Sequence, residues 1–420
     1  MRTFTFLFLF VGASMRAQDA ATILARGHAY IDTLASPSMQ GRGPVAGGDS
    51  IAADYIAAQF ARIGIHPVKE TYFEPFEFRV NTFPDSIKVA LDGVRLRPGI
   101  DLLVDPASGS SRGTFDLVHL TREDLLTPER RAMTMGVVTG RAIALDLPPT
   151  RDRDTLGLYE SWLKDLAYSG PVLRRSNGKL TWSVAQDALP NAVLEVRDSV
   201  WNDTARTVTL DVRNALLVHH ARNVLGRVKG RNSRKVIVLT AHYDHLGRMG
   251  PDVLFPGAND NASGVSMLLN LAEHFRAHPA RYDLIFIAFA GEEAGLLGSE
   301  WCAVDRPFDL ASIRLLINMD LMGTGDDGIM VVNAKDQHEV YDQLVAINET
   351  THRLAAVKAR GPACNSDHCP FVKRGVPGIF IYTLGGITAY HDVYDRPETL
   401  PLTDYADLYF TLVDLIDAIK

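Results

Sequence analysis

The sequence carries no surplus of basic residues: 43 Lys and Arg stand against 50 Asp and Glu, for a formal charge of −7. That balance argues against nucleic acid as a partner. After the first residues, no apolar run reaches the length of a membrane span, so no stable membrane insertion is expected. Cysteine is scarce, with three in 420 residues. Cys302 stands alone, whereas Cys364 and Cys369 flank a polar turn and can pair if the chain is exported. What remains is ordinary globular material, 46% hydrophobic and 22% charged, long enough for two or three domains.

The first residues have a different texture. Met1-Arg2 is a basic start, Phe4 to Ala13 is apolar apart from Thr5, and small residues precede Ala17-Gln18. This pattern reads as a signal peptide over residues 1–18, which implies a periplasmic or secreted protein.

Beyond the leader, Ala20 to Leu34 and Ser50 to Ile63 have helical spacing, with a glycine-rich loop between them. Tyr72 to Val80 alternates as a half-buried strand does. From Phe83 to Leu216 the texture changes to short strand-like runs (87–91, 137–147, 193–196, 207–212) among Pro, Asp and Arg-rich turns. No catalytic constellation stands out there. From Asn223 onward, apolar strands (235–240, 284–289, 315–319, 329–332, 379–382) alternate with helices (262–275, 404–419). Such alternation predicts an α/β sheet covered on both faces, with functional residues at the carboxyl ends of its strands.

Those ends carry the chemistry. Lys235–Thr240 runs into Ala241-His242-Tyr243-Asp244-His245, where His242 is placed as a ligand and Asp244 is placed to orient its ring. Asp260 lies among small residues at the entry to the next helix, and helix capping is its plain alternative. Glu292 and Glu293 follow Leu284–Phe289. Two adjacent carboxylates desolvated together repel unless a cation joins them, and one can then ligate while the other serves as a general base. The plain alternative is a pair of acids favoured by a helix dipole. Asp320 ends Leu315–Met319, and Tyr390-His391-Asp392 follows a Gly-Gly turn. This mixture of imidazole and carboxylate suits zinc, although cobalt or manganese can substitute.

The segments AHYDHLG, PGANDNASG, AFAGEEAGLLGS, NMDLMG, SDHCPF and YHDVYD resemble those of the M28 family of co-catalytic zinc aminopeptidases, and the likeness covers roughly residues 223–420. Met39-Gln40-Gly41-Arg42 resembles the family's N-terminal segment, and Gly140 to Leu145 faintly resembles its protease-associated insert. The resemblance implies two zinc ions per chain, held by His242, Asp260, Glu293, Asp320 and His391. Asp260 would bridge, His242 and Asp320 would complete one position, and Glu293 and His391 the other. It further implies Glu292 as general base for a zinc-activated water, Asp244 holding His242, Tyr390 stabilising the tetrahedral intermediate, and a cis peptide after Asp260. Ser366-Asp367-His368 is expected near substrate, without a catalytic role.

The expected architecture is therefore a three-layer α/β/α zinc-peptidase domain with a mixed, mostly parallel sheet (19–82 and 217–420), plus a smaller β-rich inserted subdomain (83–216). The expected activity is release of N-terminal residues from peptides. A single-zinc glutaminyl cyclase-like transferase, or a carboxypeptidase or dipeptidase, would use the same scaffold. A metal-free binding ectodomain would lack ligands or base, and none is missing.

Overall fold

The computed structural model describes the backbone of residues 5–420 and the side chains from Asp19 onward, apart from Ser233. The leader expected over 1–18 thus lies outside the residues whose side chains are described.

The larger of two main sheets has nine strands. Their order is His66–Pro67, Ala215–Val228, Tyr282–Phe289, Asn232–His242, Ile313–Met319, Gly378–Thr383, Ile329–Val332 and Val357–Ala359, with Phe73–Thr82 paired to Ala215–Val228. Its centre is parallel: Asn232–His242 runs alongside both Tyr282–Phe289 and Ile313–Met319, which in turn runs alongside Gly378–Thr383. Antiparallel pairs flank this centre.

Side chains alternate across a strand, so each central strand feeds two cores. Ile237, Leu239, Leu284, Phe286, Leu315 and Ile317 point to one face and pack under helices Thr5–Leu34, Gly48–Ile63, Gly264–Ala277 and Tyr405–Ala418. Val236, Val238, Ile285, Ile287 and Leu316 point to the other and meet Cys302, Ala303 and Phe371 of helices Leu297–Asp305 and His368–Val372. Unbroken apolar runs are what a sheet buried on both faces requires. The α/β layering and the mixed sheet follow the expected fold class. No helix among the described residues is long and apolar enough to cross a membrane.

The second sheet has eight strands between Lys88 and Val212, with helices Pro128–Val138 and Arg153–Ala167. Here one expected strand is corrected. Residues 137–147 do not form a single strand: Val137 and Val138 close a helix that begins at Pro128, where the Thr127 side chain accepts from Arg130 N–H. Gly140 then turns the chain at φ 76°, and the strand spans only Ala142–Asp146. The helix Arg153–Ala167 has no counterpart in the sequence reading, although Asp152 caps it and Tyr159, Trp162, Leu163 and Leu166 bury one face.

Candidate metal centre

Strand ends deliver the donors. His242 is the last residue of Asn232–His242, Asp320 directly follows Ile313–Met319, and Glu292–Glu293 comes just past Tyr282–Phe289. Asp260 sits in the turn before helix Gly264–Ala277, and His391 on the loop after Gly378–Thr383. Sheet order makes the first three strands neighbours, which brings residues far apart in the chain to one edge.

Asp260 stands between two sets. Its Oδ1 is 3.3 Å from His242 Nε2, which is also 3.4 Å from Asp320 Oδ1. Its Oδ2 is 3.0 Å from His391 Nε2, which is also 3.2 Å from Glu293 Oε2. The expected five ligands thus converge. The Asp260–Asn261 peptide is cis. Within 4.8 Å of one another lie donor atoms of His242, Glu292 and Asp320, and likewise of His245, Asp260 and Glu293.

His245 is the residue the sequence reading passes over. It is buried, and its Nδ1 donates to Glu293 Oε1 at 2.8 Å. Its position three residues past His242 was the available signal. His391 is the better ligand of the two at this end, because its Nδ1 is taken by the Trp182 carbonyl at 3.0 Å while Nε2 faces Asp260 and Glu293. Asp244 meets His242 through its main chain and not, as expected, through its carboxylate. His242 Nδ1 donates to the Asp244 backbone carbonyl at 3.1 Å, and the carboxylate lies farther off at 3.7 Å. That carboxylate accepts instead from the backbone N–H groups of Glu292 (3.2 Å) and Glu293 (3.3 Å), so Asp244 fixes the loop of the paired acids as well.

A second layer holds the rest. Ser366 Oγ donates to Asp320 Oδ2 at 3.2 Å and accepts from Asn318 Nδ2 at 2.8 Å, while Thr240 Oγ1 donates to Asn318 Oδ1 at 2.6 Å. Asp395, fully buried, accepts from the N–H groups of Asn259 (2.8 Å) and Asp260 (3.0 Å). Arg42, also fully buried, donates to the carbonyls of Tyr243, Leu34, Pro256, Gly257 and Asp260. Gly257 is obligatory beside it: φ is 60°, and a Cβ there would collide with the Asp260 carbonyl and the His245 ring.

The cluster's charges follow from burial and from one another. Burial raises Glu292 well above the carboxylate range, and Asp367 and Glu293 add to that rise against the pull of His242. Burial and Asp260 push Glu293 up too, but His391 and the bonds from His245 and His391 outweigh them and take it to about 2. Burial disfavours charge on His391, yet Glu293 and Asp260 hold it at about 11. Burial disfavours charge on His242 as well, yet Asp320 and Glu292 raise it well above its ordinary value, so His242 and His391 are both drawn toward the charged form by the carboxylates around them. Asp320 Oδ1 is buried without a hydrogen-bond partner. A donor set of imidazoles and carboxylates with an orphaned carboxylate oxygen fits divalent cations such as zinc. Beside it opens a cavity of about 190 Å³ lined by Glu292, Arg360, Asn365, Phe380, Tyr382 and Tyr390, among others.

The model of peptidase family M28 matches residues 223–416. Those residues form an M28 peptidase domain. The chain is 30% identical over 191 residues to a probable leucine aminopeptidase of Arthroderma otae, covering 42% of this chain and 52% of that protein. It is 32% identical over 168 residues to aminopeptidase YwaD of Bacillus subtilis, covering 37% of this chain and 34% of that one. The matches therefore span about half and a third of those relatives' lengths. A zinc aminopeptidase structure from Bacillus subtilis aligns with TM-score 0.67 at 20% identity over 93% of each chain, a likeness of fold. Every donor of the M28 domain's cluster lies within the matched residues, while Arg42 and Trp182 reach it from outside them.

Proposed function

We propose that the protein is a two-zinc aminopeptidase. The observation that carries this reading is Asp260, with one carboxylate oxygen toward His242 and the other toward His391. His242, Asp320 and Asp260 would hold one ion, and Glu293, His391 and Asp260 the other. Zinc held by these residues would supply Lewis acidity, lowering the pKa of water and polarising a scissile carbonyl. Glu292, left out of this ligand set, accepts the proton of the attacking water on a carboxylate oxygen and passes it to the departing amine. Asp244 keeps Glu292 and Glu293 in register through their backbone N–H groups. Tyr390 lines the cavity, and its phenol, kept protonated chiefly by burial, donates to the developing oxyanion. Asp260, Glu292 and Asp320 line the cavity, so a free α-ammonium group entering it meets carboxylate oxygens.

Substrates are accordingly peptides with a free N-terminus. Export is supported by the leader-like pattern over 1–18 and by the disulfide joining Cys364 to Cys369.

The test is zinc content together with turnover of aminoacyl-p-nitroanilides, for wild type and Glu292→Gln. Two zinc ions per chain, release of the amine by wild type, and a zinc-loaded variant slower by about 10²–10⁴ are expected. One zinc with cyclisation of an N-terminal glutamine peptide would replace the reading with a transferase. Cleavage of peptides blocked at the N-terminus would replace it with a carboxypeptidase.

A further inference from the structure

Lys179 and Trp182 belong to the segment between strands Val172–Ser176 and Val193–Arg197 of the second sheet, outside the M28 domain. Both nevertheless grip the loop that carries His391. Lys179 Nζ donates to the carbonyls of Thr388 at 2.7 Å and Tyr390 at 2.8 Å, and lies 2.6 Å from Asp392 Oδ2. An ammonium has three donors, and all three are committed to this one loop. Trp182 N–H donates to the His391 carbonyl at 2.8 Å, and the Trp182 carbonyl accepts from His391 Nδ1 at 3.0 Å. Main chain and ring of His391 are thus both tied to the same residue.

The grip has a rigid base. Trp182 is buried, donates from Nε1 to the Val104 carbonyl at 2.7 Å, and stacks on Phe255 with centroids 4.7 Å apart. Leu246, Met249, Val253, Phe255 and Val393 of the M28 domain share one apolar core with Leu102, Val104, Leu194 and Trp182 of the second sheet. A bond from Nδ1 to a carbonyl sets the imidazole tautomer and leaves Nε2 free of its proton for a metal.

We infer that the inserted segment is a positioning element for the metal centre: Lys179 and the main chain of Trp182 hold His391 in place and in tautomer, so that one of the two metal positions depends on them. The inference rests on the two-zinc reading. Its test is zinc titration of the full-length, metal-stripped chain against a competing chelator, for wild type, Lys179→Met and Asp392→Asn, with the Tm of each metal-free protein. Lys179 is 40% exposed but Asp392 only 8%, so the metal-free Tm should fall modestly in Lys179→Met, where a buried carboxylate loses its cation, and less in Asp392→Asn. One zinc affinity should fall by about 10- to 100-fold in Lys179→Met, and in the same direction in Asp392→Asn, while the other stays as in wild type. Two unchanged affinities in both variants would overturn the inference and leave the two-zinc reading standing. So would an equal fall at both positions, which marks general destabilisation. A wild type that binds fewer than two zinc ions overturns the two-zinc reading itself, and this inference with it.

Discussion

Replacing Arg42 with Met tests whether the N-terminal segment is structurally part of the metal site. The guanidinium is fully buried and donates to five carbonyls, at 2.7 Å to Tyr243, 2.8 Å to Leu34 and to Pro256, 2.6 Å to Gly257 and 3.2 Å to Asp260. Burial lowers its pKa to about 10 against the pull of Asp395 and Asp260, so it is charged at neutral pH. A net value of about 1 kcal/mol per bond gives about 5 kcal/mol for the set. Relief from burying the charge offsets part of this, and Met fills a similar volume, so a loss of about 4 kcal/mol is expected. Lys should recover little, since one ammonium cannot span the same fork of carbonyls. Urea unfolding of metal-free wild type, Arg42→Met and Arg42→Lys measures this directly. A loss below about 1 kcal/mol for Arg42→Met would refute the reasoning, because it would mean the five carbonyls find other donors at no cost.

Two further outcomes are expected. The Cys364–Cys369 bridge closes a short loop of sequence separation 5, so the double Ser variant should lose about 2 kcal/mol in urea; an unchanged midpoint would contradict that. His368 is held neutral mainly by burial, which lowers it from 6.5 to about 4. The unfolded chain takes up this proton as pH falls through about 6.5 while the folded chain does not until about 4. The histidine's contribution is therefore complete above about pH 6.5 and declines toward pH 4, by up to about 3 kcal/mol. Metal-free wild type should lose stability more steeply than His368→Gln across that window, and parallel curves would sink the assignment.

The central strands are legible in sequence because a sheet buried on both faces needs unbroken apolar runs, as in residues 235–240, 284–289 and 315–319. The site residues are legible for a related reason: polar residues that end such runs have no place in the core, so His242, Glu292, Glu293 and Asp320 stand out. The helix Pro128–Val138 is less legible because its exposed face carries no clear apolar stripe, with Val138 alone buried. Asp244 and His245 share a segment with His242, yet their partners lie 48 residues on at Glu292 and Glu293, and no local pattern announces such contacts.

By itself, the sequence determined which residue types stand at the strand ends, since hydrophobic burial forces polar groups to those positions. Only the tertiary structure decided which of them face one another. Sheet order places strand Asn232–His242 between Tyr282–Phe289 and Ile313–Met319, and hydrogen bonds spanning some 200 residues bring Arg42 and Trp182 onto the Asp260 and His391 loops. Those distances are set by the packing of the whole chain, and no short stretch of sequence contains them.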